Sequence, residues 1–204
     1  MNKGTKIALS AKEQELINNT DWILTKHAII QKVYAMFGNI AASMQQTISQ
    51  NATSLPQAAI DSTPKISKGE NYLSLPYVML DYPRCFKKED TLAVRTLFWW
   101  GNFFSINLQL SGASKDAAAP KLSRAFLLLR ENGYSISLSD DPWQHHFSKE
   151  NYTLINDMSE EKFSDTLHHK PFIKIGKTIP LQQWDDAPLL IERAFAEIIM
   201  LLKD

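Results

Sequence analysis

From Thr91 onward the even positions Leu92, Val94, Phe98, Trp100, Phe104, Ile106, Leu108 and Leu110 are apolar, whereas Ser105, Asn107, Gln109 and Ser111 are polar. Alternation of this kind marks a half-buried strand, because successive side chains of extended backbone point to opposite faces. A second strand-like run, residues 72–82, precedes it, and residues 83–90 suit an antiparallel link longer than a two-residue turn. The pattern predicts a hairpin at the centre of a sheet, with residues 73–112 as the part around which the rest packs.

A different period governs the chain before it. Ser10 followed by Glu13 fits a capping box, so a helix begins there. Leu16, Ile23, Ile30, Phe37 and Met44 then recur every seven residues, with Tyr34, Ala41 and Ile48 on the same face. Asn18, Asn19, Thr20 and Asp21 compete for backbone hydrogen bonds, which makes them a break or a re-cap and leaves one helix or two across residues 10–48. Trp22, Ile29 and Met36 widen the apolar stripe, and Lys26 and Lys32 are the formal charges of residues 22–48. Such a helix needs cover on more than one side. The sheet and the carboxy-terminal helix are the favoured cover, and a second copy of the chain is the other. The same low-charge arc favours a homodimer over a monomer.

Residues 51–70 lack sustained periodicity and read as a mobile crossing loop. Residues 111–119 read as a second loop, closed by Pro120 at a first helical position. A helix over 120–132 places Leu122, Phe126 and Leu129 together and ends at Gly133. Tyr134, Ile136 and Leu138 alternate with Ser135, Ser137 and Ser139 as a short strand, stopped by Asp140, Asp141 and Pro142. Residues 159–169 form a helix bearing Phe163 and Leu167, and residues 172–179 a strand with Gly176 as a bulge or turn. Asp185 or Asp186 caps a last helix whose stripe is Ile191, Phe195, Ile198 and Leu202, apolar nearly all round and so buried. This order lacks regular βα alternation. It predicts a single α+β domain over residues 1–204, with a mainly antiparallel sheet flanked by a long amino-terminal helix and a buried carboxy-terminal helix.

Composition narrows the functional classes. With 204 residues the chain can bury a self-sufficient core, and 22 basic against 22 acidic residues give no field to draw in nucleic acid or an anionic membrane. The lone Cys85 excludes an intramolecular disulfide and favours a cytoplasmic location. Residues 1–9 carry no apolar run of secretory length, and the charges of the long helix argue against a membrane span. Neither a Gly-rich phosphate loop nor a nucleophile elbow is present, which disfavours familiar nucleotide chemistry.

Two groups of side chains carry candidate chemistry. Trp99 and Phe103 should project from the sheet face opposite Trp100 and Phe104, and that face continues as Ser105, Asn107 and Gln109. Aromatic bodies beside short hydrogen-bonding groups suit a small-molecule cleft or a protein partner, unless helices cover Trp99 and Phe103 as a second core layer. The second group is Asp140, Asp141, His145 and His146, beside Trp143. Carboxylates and imidazoles can hold a divalent metal that activates water, with Asp140 as base or orienter, although the spacing matches no metal signature and Asp-Asp-Pro also initiates turns. His168 and His169 at a helix end suit the dipole, His27 suits a hydrogen-bonded core position, and Cys85 beside Arg84 lacks a nearby base. The leading expectation is a non-catalytic binding or interaction module without a cofactor, its ligand or partner unidentified. The alternative is a metal-dependent hydrolase.

Overall fold

In the computed structural model of the chain, which describes residues 7–203, the period-two stretch folds as two strands, β3 (Thr91–Trp99) and β4 (Phe103–Ser111). The turn between them is hidden in the pattern. Pairs such as Phe98 with Phe104 and Thr96 with Ile106 keep even positions on one face through the reversal, so the alternation never changes phase. Only Gly101, at φ 72°, marks the turn.

Upstream, β1 (Lys65–Tyr72) and β2 (Leu75–Phe86) are joined by Leu73 and Ser74, both at positive φ. The predicted run 72–82 therefore straddles a turn, and β1 takes in the last part of the segment expected to be loop, residues 65–70. Its sequence hides it because β1 is the sheet's edge: exposed and half-buried positions alternate irregularly, and Lys65, Lys68 and Glu70 keep the open edge polar. Three more strands, β5 (Ser135–Ser137), β6 (Tyr152–Leu154) and β7 (Phe172–Pro180), complete an antiparallel sheet of order β1-β2-β3-β4-β7-β5-β6. The α+β class and the sheet type are thus as expected.

Gly176 is not a bulge. Strands β4 and β7 pair without interruption from Phe103 with Pro180 to Ser111 with Phe172. A Cβ at position 176 would run into the Asn107 amide and the Ile106 carbonyl, so glycine is there to leave room for a neighbour's side chain.

The amino-terminal helix is two, α1 (Ala11–Asn18) and α2 (Thr20–Gln50), divided where Asn19 re-caps through its side chain, which accepts from the Trp22 amide at 3.1 Å. The Ser10–Glu13 capping box is present. The short helix α3 (Gln57–Ile60) follows. After β4, α4 (Gly112–Arg124) starts eight residues before the proline expected to open it, so Pro120 lies inside the helix. Gly112 makes the early start possible, at φ 57° and against the Glu89 carbonyl, where a Cβ would collide. The helix then breaks into α5 (Phe126–Glu131), and α6 (Glu160–His169) and α7 (Ala187–Leu202) complete the set.

Even positions of the central strands meet these helices. Val78, Leu80, Phe98, Phe104, Ile106 and Leu108 join Ile30, Val33, Phe37, Ile40 and Met44 of α2 and Ile191, Phe195 and Ile198 of α7 in one contiguous core. The cover expected for the long helix is therefore intramolecular from Ile30 to Ile48. Before that, Leu16, Ile17, Trp22, Ile23 and Leu24 remain exposed, as does His27, which is no core histidine. On α7 the outward Leu189 and Met200 are likewise bare. The cation of this face, Lys177, lies 4.6 Å above the Tyr134 ring and 3.3 Å from Glu197. No helix of the described residues is long and apolar enough to cross a membrane.

Candidate functional site

The opposite face of the sheet is built from a different set of residues. Cross-strand pairing lines up Asp81, Arg95, Asn107 and Gly176 across β2, β3, β4 and β7, and sets Gln109 beside Lys174. The helices of the core described above pack on the other face. This row is covered by residues 138–151, an irregular strap from the end of β5 to β6, and the sheet reaches up to hold it.

Three side chains do most of the holding. Lys170, just after α6, donates to the carbonyl oxygens of Leu138 and Ser139 and to the Asp140 carboxylate at 2.8 Å. Lys174, 1% exposed, donates to the carbonyls of Pro142 and Gln144 and meets His145 Nδ1 at 3.1 Å. Since an ammonium only donates, Nδ1 is the acceptor and the His145 proton sits on Nε2. Tyr72 on β1 supplies the third point: its oxygen accepts from the amides of His145 at 2.6 Å and His146 at 3.2 Å, which leaves its own proton for His146 Nδ1 at 3.0 Å. Asn151 adds a bond to the His146 carbonyl.

Gly176 has its purpose here. The room it leaves lets Asn107 turn across β7 and accept from the Tyr152 hydroxyl of β6 at 3.0 Å, and Tyr152 in turn stacks on Phe147 of the strap at 4.0 Å.

Burial sets the electrostatics. It depresses His145 from 6.5 to about 2, with Lys174 and Arg95 adding repulsion, and it depresses Lys174 from 10.5 to about 7, with Arg95 adding to the effect and Asp141 opposing it. Burial also raises the Tyr72 phenol, against the pull of the two amides it accepts from.

Between β1–β3 and the strap lies a cavity of about 240 Å³ lined by Ser67, Tyr72, Tyr77, Met79, Arg95, Leu97, Trp143 and His145. Arg95 pairs with Asp81 through Nε at 2.7 Å, more loosely through Nη2 at 3.4 Å, and its guanidinium carbon lies 5.2 Å from the Phe86 ring and 5.3 Å from that of Trp143. Its Nη1 is buried and has no hydrogen-bond partner. Gln109 Oε1 and Ser137 Oγ on the same face, and Asn151 Oδ1 at the strap's end, have no protein hydrogen-bond partner either.

Trp99, Phe103, Ser105, Asn107 and Gln109 do share this face, as the alternation predicts. Ser105, Asn107 and Gln109 are fully buried, and Trp99 packs with Met79 and Leu97 and donates from Nε1 to the Tyr72 carbonyl at 3.2 Å. The cavity wall belongs to their neighbours. The cover is also not helical: the strap's Phe147 meets Phe103 edge-on at 5.6 Å.

Asp140, Asp141, His145 and His146 do not converge. Asp140 and Asp141 are exposed, the first facing Lys170 and the second accepting from the Trp143 amide at 2.9 Å in a turn, while the two Nδ1 atoms are engaged by Lys174 and Tyr72. Among the described residues no three His, Cys, Asp or Glu side chains gather as a metal ion requires. His168 and His169 use Nδ1 on carbonyls one turn back in α6, and Cys85 is a half-buried free thiol.

Sequence reasoning passed over Arg95, Lys174 and Tyr72. A signal exists for the first, which is the one formal charge in residues 91–111, and a weaker one for Lys174, flanked by Ile173 and Ile175. Compared with known proteins, the chain matches no family model, no curated protein and no solved structure.

Proposed function

We propose that this chain is a non-catalytic binding module that admits a small molecule to the cavity between β1–β3 and the strap. The observation that carries the reading is Arg95: a cavity-lining guanidinium clamped by Asp81 and two aromatic rings, with its buried Nη1 left unpaired. An unpaired buried donor is costly, and a ligand acceptor would satisfy it. Aromatic walls with a few placed polar groups suit small-molecule recognition. A fragment library screened by ligand-observed NMR tests it. Hits whose binding weakens in Trp143→Ala support the module, and a screen without a hit competing for the Trp143 side refutes it.

A homodimer is the second part of the proposal, supported by the exposed Leu16, Ile17, Trp22, Ile23 and Leu24 at the junction of α1 and α2. Two copies can cover apolar surface that one leaves wet. Sedimentation at micromolar concentration showing only the 23.2 kDa species would rule it out. The single free thiol is in keeping with a reducing, cytoplasmic location.

A further inference from the structure

Resting on the reading of this cavity as a ligand site, we infer that its ligand is a small planar carboxylate, an aromatic ring bearing one anionic group. The layer behind the cavity is charge-unbalanced. Lys174 is buried and Arg95 half-buried there, and Asp81, the buried carboxylate among the described residues, is committed to Arg95. Lys174 meets two carbonyls and an imidazole, and the carboxylate nearest in sequence on the strap, Asp141, is exposed. Buried cations are ordinarily matched by anions. An anion in the cavity would supply the missing charge beside the Arg95 guanidinium, whose Nη1 is the one nitrogen without a partner.

The walls select the rest of the molecule. Tyr72, Tyr77 and Trp143 line the cavity with aromatic side chains, and Ser67 is the hydroxyl residue among them. The volume of about 240 Å³ lies below the roughly 300 to 1,000 Å³ of sites for drug-sized ligands, which suits a single ring and excludes a nucleotide. The Tyr72 hydroxyl is already saturated by the strap, so anion recognition falls on Arg95.

Titration of the whole chain with benzoate, benzamide and inorganic phosphate, followed by backbone amide shifts at pH 6.5 and constant ionic strength, tests this. Benzoate should shift the amides around Arg95 and Trp143 saturably and bind at least tenfold more tightly than its neutral isostere benzamide. The double variant Asp81→Asn, Arg95→Gln removes both charges together and should abolish that preference. Trp143→Ala, at a largely exposed side chain, should weaken both ring compounds while leaving the fold intact. Should the double variant fail to fold, the benzoate to benzamide ratio in the parent chain decides alone. Benzamide binding as tightly as benzoate, or phosphate binding more tightly, overturns the carboxylate while the binding module stands. Failure of all three probes overturns the carboxylate, and an empty fragment screen would remove the module too.

Discussion

Replacing Lys174 by methionine should release the strap while lowering global stability by less than the lost hydrogen bonds alone would. The ammonium's three partners, Pro142 O, Gln144 O and His145 Nδ1, all belong to residues 142–145. Hydrogen bonds from a charged donor contribute about 1.5 to 3 kcal/mol each, so losing all three costs about 4 to 9 kcal/mol. The buried charge carries an opposing penalty: depression from 10.5 to about 7 corresponds to about 5 kcal/mol against the protonated form, which methionine does not bear. The effects nearly offset in the unfolding free energy, leaving a net loss of about 0 to 4 kcal/mol. They do not offset locally, because the loss falls on the strap alone. Hydrogen exchange read by mass spectrometry should show peptides of residues 138–151 exchanging tenfold faster or more, with β3 and β4 unchanged and the urea midpoint lowered modestly. If the strap keeps its protection while β4 and β7 lose theirs, the lysine props the sheet and does not fasten the strap.

Two further outcomes follow from the same layer. Because His145 is depressed to about 2 from 6.5, the unfolded chain binds more protons below pH 6.5, so stability falls on acidification by about 2 kcal/mol between pH 6.5 and 5. Lys174 is protonated in both states there and adds no slope; its own effect is a rise in stability from about pH 7 towards 10.5. The groups facing His145 are Lys174, Arg95, His146 and Tyr72. Urea midpoints of the parent and His145→Gln should diverge as pH falls, and parallel curves would show that His145 is not the group responsible. Trp99→Ser removes a buried indole and should cost about 3 to 5 kcal/mol, as deep core truncations do. Phe103→Ser, at a half-buried position, should cost less than half as much, and equal losses in thermal unfolding would mean the strap seals this end of the face completely.

The elements with strong periodicity were legible in the sequence because burial on one side writes itself into residue type. The extended run that became β3 and β4, strands β5 and β7 and the stripe of α7 all declared themselves this way, whereas the turn at Gly101 and the choice between one amino-terminal helix and two were left open. Strand β1 did not declare itself, since an edge strand exposed along much of its length has no apolar side to display, and β6 is too short to alternate. Pro120 misled because proline is at home in a first turn, whereas the true start is set by the close approach of Gly112 to Glu89, a tertiary fact. The candidate site was half legible. Its face followed from parity, but its centre rests on contacts across 73 residues between Tyr72 and His145 and across 29 between His145 and Lys174, which no local pattern encodes.

The strap is tied down largely through its main chain. The carbonyls of Leu138, Ser139, Pro142, Gln144 and His146 and the amides of His145 and His146 are atoms that nearly every residue possesses, whereas the groups grasping them are the particular side chains of Lys170, Lys174, Tyr72 and Asn151. Within the strap, fastening is therefore written in the main chain, and the Trp143 side chain, which lines the cavity, makes none of these hydrogen bonds. Substitution at position 143 can reshape the cavity wall without untying the segment that closes it, giving an evolving or engineered lineage a free hand there on an unchanged frame.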